Sequence, residues 1–282
     1  MSTRFAVITD TTADLAPELA AERGVYLIPQ VIIWGREVLK DGVSITSPEF
    51  YRRLATADEM PTTSRPAPAD VAELFQRARD ENDADALVVV TVSDEVSGTY
   101  PSAMEARKEV DFPVHVFDTR TISLALGLTA LRVADARDAG ASADEALALA
   151  KQVAAGSHAI FSPGTLEFLR RGGRIGGASH LIGTALSIKP LLILQDGKVQ
   201  PLENVRTRKR AIKRLVELVA QYKDPARPLH VGVVHGDAAA EADALAEMIQ
   251  AESRPDLLLK GWVSPSIGVH VGPGVLGVMV VQ

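Results

Sequence analysis

Two short segments rich in hydroxyl side chains are the strongest candidates for chemistry in this 282-residue sequence. Thr62-Thr63-Ser64 lies between two prolines, which disfavour helix, so we predict a loop there. Ser97-Gly98-Thr99 follows a strand-like apolar segment and opens a helical pattern. The free backbone N–H groups at a helix N-terminus can hold an anion, and Gly98 would let a ligand approach the backbone closely. A plain turn and a plain helix cap remain the structural alternatives.

The anion that would suit these hydroxyls is a carboxylate rather than a phosphate. A phosphate normally recruits Lys or Arg, and Arg65 is the only cation beside the two segments, with its own role left open. A further candidate is Arg174. The neighbouring Arg170, Arg171 and Gly172 fit the C-terminus of a helix with its favourable cations and glycine cap, which leaves Arg174 without a structural explanation.

Two other features carry both a functional and a structural interpretation. His270 lies in an apolar, glycine-rich stretch, where a lone histidine is usually a hydrogen-bonded core residue, although the flanking glycines leave room for a ligand. The basic run at residues 206–214 is typical of a solvated helix face opposite an apolar one. Nucleic-acid binding and protein docking are the alternatives for this run.

Composition excludes several classes of function. The apolar fraction of 46% and charged fraction of 23% are those of an ordinary globular protein, and the net charge of −6 argues against nucleic-acid binding. The absence of cysteine excludes disulfides and thiolate chemistry. The sequence has no phosphate-binding loop, no nucleophile elbow and no histidine spacing typical of a metal site. We therefore expect a cytoplasmic protein, without a signal peptide, metal or cofactor.

Alternating strand and helix patterns predict a parallel sheet covered on both faces, an N-terminal Rossmann-like α/β domain. Three polar segments follow its strands: residues 10–14, 93–99 and 118–119. Because ligands of such sheets bind at the carboxyl ends of the strands, we expect these segments to form one site. A single strand is predicted over residues 26–34.

The pattern changes near residue 160, so we predict two domains, 1–160 and 161–282, with a ligand at their interface. The second domain is predicted as α+β, with a hairpin turn at Asp196-Gly197. Residues 261–282 carry no charged side chain. Glycines and two prolines interrupt this stretch, which favours buried strands over a membrane span.

Taken together, the chain resembles the DegV family, the fatty-acid-binding subunits of bacterial fatty acid kinase. The resemblance rests on an ordered set of motifs that spans nearly the whole chain, in residues 9–15, 61–66, 97–103, 118–119, 169–175, 188–191, 206–208 and 270–274. One departure is Arg65, where the family often has glutamine.

The resemblance implies a lipid-binding accessory subunit rather than an enzyme. Such a protein encloses one long-chain fatty acid, such as palmitate or oleate, and presents its carboxylate to a separate kinase subunit. The kinase forms an acyl phosphate that is used in phospholipid synthesis. Transient membrane contact is compatible with this role, and no nucleic acid is expected. The family's carboxylate-binding residues correspond to Thr63 and Ser97, with support from Ser64, Gly98 and His270.

The residues that support the kinase step in the family correspond to Arg174, Arg206 and His270. For the acyl chain we predict an apolar slot, with candidate lining residues Ile28, Val31, Ile33, Leu124, Leu128, Leu181, Leu186 and Ile193. Two alternatives remain: a stand-alone acyl or phosphoryl transferase that uses Ser97 or Thr63, and a DNA-binding regulator that uses the basic run.

Overall fold

The computed structural model describes residues 4–182 and 188–282. Its strands, in chain order, are β1 (Phe5–Asp10), β2 (Val25–Ile28), β3 (Val31–Trp34), β4 (Glu37–Lys40), β5 (Thr62–Ser64), β6 (Ala86–Thr91), β7 (Val114–Asp118), β8 (His158–Ser162), β9 (Lys189–Gln195), β10 (Lys198–Val205), β11 (His230–His235), β12 (Leu257–Trp262) and β13 (Leu276–Val281).

Its α-helices are α1 (Pro17–Glu22), α2 (Ser47–Leu54), α3 (Pro68–Asn82), α4 (Thr99–Ala106), α5 (Leu124–Asp138), α6 (Ala143–Ala155), α7 (Glu167–Arg171), α8 (Arg208–Tyr222), α9 (Ala239–Ser253) and α10 (Pro265–Val271). Short 3₁₀ helices cover Thr11–Ala13, Arg107–Glu109 and Gly176–Leu181. In the described part of the chain, no helix is long and apolar enough to cross a membrane.

The first sheet has the strand order β2-β1-β6-β7, and all its strands are parallel. Every residue of β1 and β6 is buried, as expected for central strands covered by helices on both faces. The carboxyl ends of β1, β6 and β7 lie side by side at one edge. This arrangement confirms the predicted parallel-sheet α/β fold of the N-terminal part.

The second sheet has the order β10-β9-β8-β13-β11-β12 and mixes parallel and antiparallel pairs. Helices α8 and α9 pack on one face through an apolar cluster. Helix α5 packs between the two sheets, where Gly232 of β11 provides the space for the side chain of Leu124. The predicted turn Asp196-Gly197 joins β9 to β10, and both residues have positive φ. The predicted α+β architecture of this part is also confirmed.

Two local predictions were wrong. Residues 26–34 form two strands in different sheets, because the chain leaves the first sheet at Pro29 and Gln30. The predicted loop at Thr62–Ser64 is the edge strand β5, which pairs with β3 in a small antiparallel sheet. Residues 261–282 contain the buried strand β13, as expected, and also helix α10, which was not predicted and has Pro265 in its first turn.

The division of the chain at residue 160 stays a prediction. Strand β8 (His158–Ser162) is the first strand of the six-stranded sheet in chain order. Buried residues from both sheets and from α5 join in one apolar cluster, so the two sheets pack against each other over a shared core.

Candidate functional site

A cavity with about 940 Å³ of empty space lies between the two sheets. This figure includes space at the mouth of the cavity that is open to solvent. Its apolar lining comes mostly from the second sheet and from α10, and consists of Val92, Val96, Ile122, Phe161, Leu169, Leu194, Val199, Val234, Val263, Ile267, Val271, Val275 and Met279. The cavity is therefore suited to an apolar ligand with one polar group.

The polar lining contains most of the residues that the sequence singled out. The two hydroxyl-rich segments, on β5 and before α4, meet here. The predicted site residues that line the cavity are Thr63, Ser64, Ser97, Gly98, Arg174 and His270. Arg206 is exposed and is not among the lining residues. Arg65, whose role the sequence left open, also lines this cavity. We call the part of the cavity formed by these predicted residues and Arg65 its polar end.

Thr63 and His270 contact each other although they are 207 residues apart. The hydroxyl of Thr63 lies 2.9 Å from Nε2 of His270. Burial, and to a lesser extent the charge of Arg174, lower the pKa of His270 to about 4. The imidazole is therefore neutral near pH 7 and can donate only through the one ring nitrogen that carries its proton.

Gly172 is required for the position of His270. A Cβ added to Gly172 would lie 2.2 Å from Nδ1 of His270, closer than non-bonded atoms can come. The glycine cap predicted from helix propensity therefore has a second role, because it lets α7 pack directly on the histidine ring.

Gly98 is explained by packing as well as by ligand approach. It is the N-cap of α4 with φ −81°, which any residue can adopt. However, a Cβ here would lie 2.9 Å from Cβ of Arg65. The glycine thus lets the segment that carries β5 approach the start of α4, and this brings Thr63 and Ser97 to the same cavity.

Arg174 lies at the polar end, while its neighbours have structural roles. Its Nε donates to the carbonyl of Val96 at 3.1 Å, and Nη1 donates to the carbonyl of Gly172 at 2.8 Å. By contrast, Arg170 and Arg171 pair with Glu167 on their own helix. Arg170 and Arg171 are therefore accounted for within their own helix, whereas Arg174 lines the cavity.

Three of the six basic residues of the run at 206–214 form ion pairs within the described structure. Arg208 pairs with Glu241, Arg210 with Glu217, and Arg214 with both Glu203 and Glu217. These pairs favour the interpretation of the run as a charged helix face.

The predicted lining of the acyl slot was wrong. The predicted residues in the described part of the chain do not line the cavity, and Leu186 lies outside the described residues. Ile193 and Leu194 show the reason. Adjacent residues of a strand point to opposite faces, and Leu194 faces the cavity whereas Ile193 packs in the cluster under α8.

Three buried carboxylates lie next to the cavity, and the sequence did not indicate that they form a group. Asp14 accepts hydrogen bonds from the hydroxyl of Ser123 and the backbone N–H of Ser264. Asp41 accepts from the backbone and hydroxyl of Ser266, near the start of α10. Burial raises the pKa of Asp14 to about 7 and that of Asp41 to about 6, and it also raises that of Asp10.

Asp14 makes the stability of the fold depend on pH. Its pKa is about 3.8 when exposed and about 7 when folded, so between these values the folded state keeps a proton that the unfolded state has lost. Its stabilising contribution is complete below pH 4 and is lost as the pH rises through 7. We expect the stability of the wild type relative to Asp14→Asn to fall by about 1.4 kcal/mol per pH unit from pH 5 to 7. Urea unfolding at several pH values measures this difference, and a constant difference would contradict the prediction.

Metal binding has no support in the part of the structure described. No group of three or more His, Cys, Asp or Glu side chains there could hold a metal ion. The chemistry available at the polar end of the cavity is hydrogen bonding by hydroxyls, backbone N–H groups, one amide, one imidazole and two guanidinium groups.

Comparisons with known proteins match this chain to one family along nearly its whole length. Residues 4–282 match the family described as "Uncharacterised protein, DegV family". A DegV domain-containing protein of Streptomyces coelicolor is 41% identical over 282 residues, which cover 99% of each chain.

Two solved structures show the same fold. A DegV family protein from Thermus thermophilus, whose structure is described as showing fatty acid binding, is 30% identical with a TM-score of 0.92. DegV from Bacillus subtilis, described as a fatty acid binding protein, is 29% identical with a TM-score of 0.91. In both comparisons the match covers 99% of each chain.

Proposed function

The chain belongs to the DegV family, and we propose on this basis that it binds one long-chain fatty acid. The acyl chain occupies the apolar cavity, and the carboxylate lies against Thr63, Ser97 and the backbone at Gly98, with Ser64 and His270 beside it. The observation that carries the proposal is the meeting of two hydroxyl segments at a cavity whose remaining lining is mostly apolar. The fatty acid binding described for the Thermus thermophilus and Bacillus subtilis proteins supports it.

Simple energetics support this choice of ligand. Burial of about fifteen methylenes at about 0.8 kcal/mol each offers roughly 12 kcal/mol before the cost of ordering the ligand. The carboxylate must be hydrogen-bonded, since an unpaired buried charge is very unfavourable. Hydroxyls and backbone N–H groups meet that need. Native mass spectrometry tests the proposal, and one fatty acid bound per chain is the expected result.

We further propose that the bound carboxylate is presented to a separate fatty acid kinase subunit, which forms the acyl phosphate. The polar end supports this idea, because Arg174 reaches the cavity from the same side as the exposed residue Arg65. In this proposal Arg174 and Arg206 assist the phosphoryl transfer and His270 positions the head group. The chain itself then acts as an accessory subunit and has no catalytic turnover of its own.

Arg174→Ala and Arg206→Ala are expected to impair phosphorylation more than binding. Loss of a guanidinium near the transferred phosphoryl group removes a charge-assisted interaction, so we expect a decrease of roughly tenfold or more in acyl phosphate formation. Palmitate affinity should change much less. A kinase-coupled assay and a binding titration on the same variants measure the two effects. The exposed Lys209 of the basic run provides the control variant Lys209→Ala. An equal loss of binding and phosphorylation would contradict this role.

A further inference from the structure

A chain of buried polar side chains lies directly behind Ser97. The Ser97 hydroxyl is 2.8 Å from the hydroxyl of Thr99, which is fully buried. The Thr99 hydroxyl in turn lies 2.8 Å from Nε2 and 3.1 Å from Oε1 of Gln30, which is only 4% exposed. Gln30 lies in the break between β2 and β3 and lines the cavity.

Asp10, at the end of β1, forms the inner end of this chain. One of its carboxylate oxygens accepts from the backbone and hydroxyl of Thr12, and the other accepts from the backbone N–H of Val92 at 2.9 Å. The side chain of Gln30 also lowers the pKa of Asp10, as the last and weakest of its hydrogen-bonding neighbours. A carboxylate can only accept, so this neighbour favours the orientation of Gln30 in which the amide nitrogen lies 2.8 Å from the Thr99 hydroxyl.

The hydrogen bonds around Ser97 determine the direction in which its hydroxyl proton points. The Ser97 oxygen accepts from the backbone N–H of Thr99 at 3.3 Å. The Thr99 hydroxyl accepts from Gln30, which leaves its own proton to donate, and the Ser97 oxygen is its nearer acceptor. A hydroxyl oxygen has two acceptor positions. When both are filled by Thr99, the Ser97 proton has no partner behind it and must point into the cavity.

We infer that Gln30 and Thr99 are positioning residues that turn the Ser97 hydroxyl outward as a donor, so that the head-group site selects an ionised carboxylate over an uncharged head group. The inference rests on the proposed fatty acid site and adds to it a source of specificity. Neither residue touches the carboxylate. Each acts through Ser97, and successive hydrogen bonds polarise one another along such a chain.

The test compares palmitate with hexadecanol, which has the same acyl length but a head group that can also donate. Wild-type protein is expected to bind palmitate much more tightly. Thr99→Val removes the donor behind Ser97 and should weaken palmitate binding roughly tenfold, with hexadecanol affinity changed less than about twofold. Thr99→Ser restores the hydroxyl and should recover the preference for the acid. Gln30→Met should act like Thr99→Val, and it provides a second variant if Thr99→Val does not fold.

Ser102→Ala is the matched control, since Ser102 is a fully buried hydroxyl of the same helix with no hydrogen-bond partner in the described structure. It should leave the acid-to-alcohol ratio unchanged. Equal weakening of both ligands by Thr99→Val, or an unchanged palmitate affinity in a folded variant, would overturn the inference. A wild type that binds both ligands without preference would overturn it while leaving an acyl-binding function in place. A wild type that binds neither would instead overturn the proposed function.

Discussion

Thr63→Val combined with Ser97→Ala is expected to weaken palmitate binding at least about 100-fold. Each hydroxyl donates to an ionised carboxylate in the proposed complex, and a hydrogen bond to a charged group contributes about 1.5–3 kcal/mol. Loss of both therefore costs about 3–6 kcal/mol, and it leaves the carboxylate in an apolar surrounding. Titration of delipidated protein with palmitate measures the change. Hexadecanol binding should decrease much less, because a hydrogen bond to an uncharged head group contributes less binding free energy than one to a carboxylate.

Thr62→Val is the matched control for this double variant. Thr62 is the neighbour of Thr63 on the same edge strand, but its side chain is exposed and does not line the cavity. Its substitution should leave palmitate affinity within about twofold of the wild type. If the double variant binds as tightly as this control and has the same thermal stability, the two hydroxyls do not hold the head group.

Ile122→Trp is expected to displace part of the acyl chain. Ile122 lines the cavity at the carboxyl edge of the first sheet and is only half-buried, so a larger side chain can enter the cavity without rebuilding the core. If the indole excludes about three methylenes, the loss is about 2.4 kcal/mol at about 0.8 kcal/mol each, or roughly 50-fold in palmitate affinity. Decanoate should be weakened as well, because Ile122 lies at the carboxyl edge of the sheet, near the proposed position of the head group. Titration of delipidated protein measures both affinities.

Val43→Trp separates this effect from non-specific binding of lipid to an added aromatic side chain. Val43 is 71% exposed and lies outside the cavity. Its substitution should leave the affinities for palmitate and decanoate unchanged. Wild-type palmitate affinity in a folded Ile122→Trp protein would mean that the acyl chain does not occupy this cavity.

The polar end of the site could be predicted from sequence because its parts follow simple rules. The segments after β1 and β6 were placed together because parallel strands share one edge at their carboxyl ends. Asp118 and Thr119, after β7, were predicted in the same site but do not line the cavity. Arg174 was separated from Arg170 and Arg171 because helix termination explains only the latter two. The contact of Thr63 with His270, across 207 residues, could not be derived from local patterns.

The apolar end could not be predicted, because its residues resemble their neighbours. Ile193 and Leu194 are both apolar, yet only Leu194 faces the cavity. In a sheet buried on both faces, strand periodicity gives no difference in polarity from which to choose the face. Helix α10 was missed for a related reason, since a fully apolar segment with glycines shows no helical amphipathicity.

Gln30 is the missed residue that the sequence could have identified. It is a single polar residue in the apolar segment 25–34, next to Pro29. A buried amide requires hydrogen-bond partners, so its presence there indicates a polar contact. The break that Pro29 introduces into the predicted strand was the second signal.

Native mass spectrometry of protein purified gently from bacteria tests the central claim most directly. We predict a mass increase equal to one long-chain fatty acid per chain, identified as such after extraction of the lipid. Delipidated protein should take up one equivalent of added palmitate or oleate, and the Thr63→Val, Ser97→Ala double variant should retain far less. Protein that carries no lipid and takes up neither acid would contradict the account.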